Sequence, residues 1–210
     1  TLLFSLILGA LLLFLVSKWS QWKLLVLTLQ GYLLLAMIIF FMQNMGSFHI
    51  AHPFEHYGTV AWGTFLLVSY LFLHQYDKVW PYTKQLHILT LWFITFICTL
   101  ELRHHAIGLE MGKSIVLISI ILLPLLFSLL LLLPKQYTTW LERYRNDYQF
   151  VGVGGLVMVS LLWTLRAFSI APDFTLWSYI PLLNPLDMMQ ILGLGVSLYW
   201  IQRNKHHFTP

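Results

Sequence analysis

Three short stretches of this sequence hold the side chains best placed to do chemistry. The densest is residues 46–57, Gly-Ser-Phe-His49-Ile-Ala-His52-Pro53-Phe-Glu55-His56-Tyr57. On a helix His49, His52 and His56, spaced by three and four, would share one face, and three imidazoles with one carboxylate are a donor set able to hold zinc or a similar ion. The same groups could instead move protons, with His52, His56 or Glu55 as the acid-base residues. Pro53 works against a regular helix, because it lacks an amide donor and pushes His52 out of α geometry. The alternative is a polar interfacial loop whose histidines hydrogen-bond to nearby backbone.

The second stretch, residues 99–105, reads Thr-Leu-Glu101-Leu-Arg103-His104-His105 at the end of an apolar run. If the helix continues through it, Glu101 and His105 lie one turn apart and interact, while Arg103 reaches outward to lipid headgroups. A carboxylate just inside an apolar edge is costly without a partner or a function, which makes Glu101 the leading candidate. The plainer reading is a helix end anchored by snorkelling side chains. The third stretch, residues 166–187, ends Tyr179-Ile-Pro181-Leu-Leu-Asn184-Pro185-Leu-Asp187. Pro181 and Pro185 preclude one continuous helix. Asn184 then Pro185 makes a good N-cap and first helical position, and Asp187 falls in the first turn, where the helix dipole favours an anion. A share in a polar outer pocket is the other role open to Asp187.

Weaker patterns have plainer explanations. Gly152-Val-Gly154-Gly155 lacks the third glycine and the preceding strand of a nucleotide loop, so close helix packing accounts for it better. Gly193 and Ser197 form a small-xxx-small pair able to seat a neighbouring helix. Glu142-Arg143-Tyr-Arg145-Asn-Asp147 reads as a solvated loop with local ion pairs. The chain carries no HExxH, phosphate-loop or serine-nucleophile signature, and the sequence assigns it no cofactor.

These groups sit in an apolar background. Of 210 residues, 59% are apolar and 10% charged, against roughly 25% charged in a soluble domain, and the mean hydropathy is +0.75. A soluble globule is excluded, because a domain of this length still exposes about a quarter to a third of its unfolded surface. The lipid bilayer is the expected solvent. At about 20 apolar residues per span the chain has room for seven, near residues 2–16, 24–42, 59–74, 86–100, 115–133, 151–167 and 186–201. The expected fold is an all-α polytopic transmembrane bundle forming a single domain over residues 1–210. The single cysteine, Cys98, lies within an apolar run and acts there as a small hydrophobe. The apolar run starting at Leu2, with Thr1 first and no basic region before it, differs from a signal peptide and suggests a segment of a longer parent chain whose remaining transmembrane helices would be its neighbours.

The basic residues give an orientation, since Lys and Arg are retained on the cytoplasmic side. Lys18, Lys23, Lys78, Lys84, Lys135, Arg143, Arg145, Arg203 and Lys205 fall in one set of alternate loops, and Arg103, Lys113 and Arg166 in the other. The first residue is thus expected outside and the tail in the cytoplasm. The formal charge of +4 is a topology signal, with no nucleic-acid partner expected. This sorting puts Glu55, Glu101, Glu110, Asp173 and Asp187 on the outer side, with His49, His52, His56, His104 and His105. It also puts Trp19, Trp22, Trp80, Trp140 and Trp200 near inner span ends and Trp62 and Trp177 near outer ones, as in an aromatic belt.

Two of the stretches carry a family resemblance. The phrase Tyr179-Ile-Pro-Leu-Leu-Asn-Pro-Leu-Asp187, followed by a helix, and the block 86–105, ending Thr99-Leu-Glu101-Leu-Arg-His-His105, resemble the large bacterial predicted membrane proteins catalogued as domain-of-unknown-function 2339. The resemblance implies a segment of a much longer chain rich in transmembrane helices, in a bacterial inner membrane. It transfers no activity. Where that family usually has an aromatic pair after the glutamate block, this chain has His104 and His105.

Three functional readings follow. One is a non-enzymatic scaffold, transport or cell-envelope module. The second is an enzyme acting at the extracytoplasmic face on a lipid-linked or envelope substrate, with His52, His56 or Glu55 moving protons, Glu101 or Asp187 orienting them, and His105 beside Glu101. The third, an ion or proton conduit, needs ionisable groups at mid-depth, and the sequence puts almost all of them at span ends.

Overall fold

A computed structural model of the chain describes residues 8–9, 11–16, 19, 28, 31, 35, 38–39, 52–55, 58–76, 83–134, 139–169, 182 and 184–208. Among these residues the secondary structure is helical, with no strand. The chain divides into two compact units, Thr1–Phe93 and Ile94–Pro210. Of the expected spans at 2–16 and 24–42, residues 8–9, 11–16, 28, 31, 35 and 38–39 are described, and these are helical.

In the first unit, helix α1 is Gly58–Tyr76. A turn built on Pro53 leads into it: the Glu55 amide donates to the His52 carbonyl at 3.2 Å, and the Gly58 amide to the Glu55 carbonyl at 2.8 Å. Gly58 is required there, because a Cβ would run into the Pro53 carbonyl. Trp62 and Phe65 on α1 pack edge-on to each other and surround the Phe93 ring, with centroids 5.5 to 5.7 Å apart. Trp62 is only 2% exposed, so it is a core residue and not part of an interfacial belt. Trp19, by contrast, is 90% exposed. Trp22, Trp80, Trp177 and the Trp140 side chain lie outside the described residues.

Helix α2, Thr83–Gly108, contains the boundary between the units. It runs past the expected end at residue 100 and carries Glu101 through His105 in helical register. Its end is closed by the Met111 amide on the Ala106 carbonyl at 3.2 Å, with Glu110 and Gly112 at positive φ. That tight turn leads directly into α3, Gly112–Leu132.

After α3 the chain winds through a 3-10 turn at Thr139–Tyr144, one turn of helix α4 at Arg145–Asp147 and a π segment at Tyr148–Gly152 into α5, Val153–Phe168. The block 142–147 is therefore helical, where a solvated loop was expected, and its Tyr144 is buried. Helix α6 is Pro185–Arg203, and a 3-10 turn at Lys205–His207 follows it.

Helices α3, α5 and α6 pack on one another. The Trp163 indole of α5 donates to the Leu117 carbonyl near the start of α3, at 2.8 Å. At the other end Gln149, just ahead of α5, donates to the Leu131 carbonyl, and Arg203 of α6 to that of Leu132. Helix α5 therefore runs against α3 and α6 runs with it. A Cβ on Gly154 would lie 3.0 Å from the Trp200 ring, and one on Gly193 would touch Thr164 and Leu125, so both glycines sit at helix-helix contacts.

The polarity of this bundle is inverted relative to a soluble one. Ser128, Ser160, Thr164 and Ser197 are at most 3% exposed, whereas Leu165, Phe168 and Leu198 are each 67% exposed. The buried hydroxyls donate to carbonyls four residues back, at 2.7 to 2.9 Å. Small polar side chains inside and leucines outside are the distribution a hydrocarbon solvent selects. Three helical segments, Thr83–Gly108, Gly112–Leu132 and Glu142–Phe168, are long and apolar enough to cross a bilayer, and Gly58–Leu71 is a shorter apolar helix. Pro124 inside α3 is tolerated in such a setting; its carbonyl accepts from Ser128 at 2.7 Å.

Candidate functional site

The continuation of α2 past residue 100 puts Glu101 and His105 on one face, one turn apart. Their side chains meet, with His105 Nε2 3.0 Å from Glu101 Oε1. Glu101 is 13% exposed and His105 62%, so the carboxylate is sheltered and the imidazole stands at the surface. An imidazole that donates Nε2–H to a carboxylate has its tautomer and ring orientation fixed, with Nδ1 as its acceptor nitrogen. Such a pair can accept a proton at Nδ1, or supply two ligands to a metal that draws the rest of its shell from elsewhere. His104 turns its ring edge to His105, with centroids 5.9 Å apart. Arg103 lies about 200° around the helix from Glu101 and is not its partner.

Of the first stretch, His52 and Glu55 belong to the first unit. His52 Nδ1 is 3.9 Å from Glu55 Oε2, with the carboxylate 59% exposed. That contact spans the Pro53 turn and not a helical turn. His49 and His56, the other members of the expected three-histidine face, lie outside the described residues.

Asp187 is held by its own helix end. Asn184 is the N-cap of α6 in extended conformation, its side-chain oxygen accepting from the Asp187 amide at 2.9 Å, with Pro185 next. In return the Asp187 carboxylate accepts from the Leu182 amide at 3.1 Å and from the Asn184 Nδ2. This reciprocal arrangement satisfies donors at the start of α6. Leu182 takes a positive φ of 67° to present its amide.

The sequence gives little local sign of the most elaborate polar cluster of the second unit. The last two carbonyls of α3 and that of its C-cap, Leu133, each receive a side chain from far along the chain. Gln149 Nε2 donates to the Leu131 carbonyl at 2.8 Å, Arg203 Nη1 to that of Leu132 at 2.6 Å, and Arg145 Nη2 to that of Leu133 at 2.9 Å. These acceptors have no partner within the helix, and they sit at the negative end of its dipole, so an amide and two guanidinium groups are well matched to them. The Gln149 carbonyl, in the wide π turn, accepts from the Trp200 indole at 2.8 Å. Phe150 stacks between Trp200 and His207, with Phe208 closing the cluster. Sequence separations of 12, 18 and 71 residues put these bonds beyond periodicity or capping rules; the one hint was the concentration of basic residues in the segments 134–150 and 202–210.

A family model described as Predicted membrane protein (DUF2339) matches residues 1–210. No curated protein and no solved structure matches the chain.

Proposed function

We propose that this chain, which belongs to the DUF2339 family of predicted membrane proteins, is a non-enzymatic polytopic module of a bacterial inner membrane, serving as a scaffold or as part of a transport or envelope-assembly protein. The observation that carries this reading is the engagement of Asp187: both of its roles, accepting from Leu182 and from Asn184, are local to the N-terminus of α6. A carboxylate so used positions a helix and is not presented to a substrate. The full reading is one domain of seven spans, with the first residue outside, the tail in the cytoplasm, and further helices of a longer parent chain as neighbours. The decisive experiment is complementation of a deletion strain by the full chain bearing Glu101→Gln and His105→Gln together, at normal expression. Normal growth and envelope integrity are expected; loss of function with an intact, membrane-inserted protein would overturn the reading.

One observation favours a second reading, a membrane enzyme at the outer face acting on a lipid-linked or envelope substrate. A sheltered carboxylate that orients an exposed imidazole, as Glu101 does His105, is the arrangement a general base requires. Under this reading the same double variant abolishes function, and purified full chain turns over an envelope lipid or glycan precursor in a manner lost with Glu101→Gln. His52, Glu55 and His56 would then be the next positions to vary.

A further inference from the structure

The end of α3 holds two guanidinium groups on successive carbonyls, Arg203 on Leu132 and Arg145 on Leu133. Neither has a carboxylate partner among the described residues; beyond its carbonyl, Arg203 has only the Tyr199 hydroxyl, at 3.5 Å, and the Arg145 Nη1 is buried with no hydrogen-bond partner. Two full positive charges are thus set side by side against carbonyls that carry only a partial negative charge. Each guanidinium has five N–H donors, and most remain uncommitted. The second observation is the setting. The pair lies where α3 and α6 end, and Gln149, on the neighbouring Leu131 carbonyl, is bonded to the Trp200 indole, which packs with Phe150 and Phe208; Phe208 is 56% exposed. Aromatic rings of this kind sit at headgroup depth.

We propose that Arg145 and Arg203 form a binding site for the phosphate of an anionic phospholipid in the leaflet at that face. The planar guanidinium fork matches phosphate oxygens, and a negative headgroup relieves the repulsion between the two cations. The adjoining rings favour a lipid over a soluble anion, since they give the acyl-glycerol region an apolar wall.

The test uses the full chain in detergent micelles, with lipid retention read by native mass spectrometry after titration with phosphatidylglycerol or with phosphatidylcholine. Wild-type protein is expected to prefer phosphatidylglycerol by roughly tenfold or more, given about fivefold per cation near a membrane surface. Arg145→Gln with Arg203→Gln loses that preference. Arg145→Lys with Arg203→Lys, which keeps the charge and much of the capping capacity, retains part of it. Lys113→Gln, a charge removal at the opposite end of α3, leaves it unchanged. No phosphatidylglycerol preference in the wild type overturns the proposal whatever the variants do, as does an equal loss in Lys113→Gln, which would signify bulk charge alone. Displacement of the lipid by millimolar inorganic phosphate overturns the lipid assignment in favour of a soluble phosphate ligand.

Discussion

Single side chains decide two local structures, and each decision is measurable. Gly58 starts α1 under the Pro53 carbonyl, and a methyl group there meets backbone that cannot move independently. Gly58→Ala is expected to destabilise by about 1–3 kcal/mol, the usual cost of overpacking. Gly63→Ala, in open space on the same helix, should stabilise by about 0.5–1 kcal/mol through helix propensity. Thermal unfolding of the two variants in micelles should move the midpoint in opposite directions. At the start of α6, Asn184→Ala loses an N-cap worth about 1 kcal/mol. Asparagine and aspartate are equally good N-caps in general, yet here the Asn184 Nδ2 faces the Asp187 carboxylate. Asn184→Asp replaces that donor with a second negative charge, so at neutral pH it should cost at least as much as Asn184→Ala. Its deficit should shrink at high ionic strength, where the facing charges are screened; a deficit independent of salt would show that the facing charges are not its cause.

Helix ends show where the sequence was readable and where it was not. The α6 start was legible because Asn184, Pro185 and Asp187 act within four residues and each fits its position by a local rule. The end of α2 was legible only conditionally: the Glu101 and His105 spacing implied contact if the helix continued, and the turn closed by Met111 on Ala106 is what lets it continue. The end of α3 was not legible, since its caps arrive from Arg145, Gln149 and Arg203 through tertiary packing. Block 142–147 was misread for the same reason: its charge density suggested a solvated loop, but Tyr144 is buried and Arg145 caps α3. Gln149→Leu leaves the Leu131 carbonyl buried and unsatisfied, and is expected to destabilise by about 1–3 kcal/mol. Gly154→Val attacks the same junction from the other side. The Trp200 ring that a side chain would meet is held by its bond to the Gln149 carbonyl and by Phe150, so it cannot swing away, and a loss of about 1–3 kcal/mol is expected. Combining the two should give less than the sum of their separate costs, because each loosens the Trp200 seat; strict additivity in denaturant midpoints would show the two positions to be independent.

At the scale of the whole molecule, composition identified the solvent and the inverted polarity of the second unit agrees with it, while the direction of insertion rests on charge counting alone. The structure supplies a way to test that direction. Helix α3 has 21 residues and so is about 31 Å long at 1.5 Å per residue, the thickness of a hydrocarbon core. Glu110 lies just before its first turn, whereas Arg203 is bound to its last, so the exposed His206 and the exposed Glu110 mark opposite ends of the bundle. Cys98 is the one cysteine and can be replaced by Ser to give a silent background. In that background Glu110→Cys should react with a membrane-impermeant maleimide added to intact spheroplasts. His206→Cys should react only after the membrane is permeabilised. The reverse pattern would invert the assignment and move Glu101 and His105 to the cytoplasmic face, and with them any substrate they could meet. Labelling of both from one side would contradict the spanning of α3 itself. Because Arg145 and Arg203 sit at the His206 end, the same experiment fixes the leaflet from which an anionic lipid would be drawn: the predicted pattern makes it the cytoplasmic one, where the positive-inside distribution concentrates basic residues.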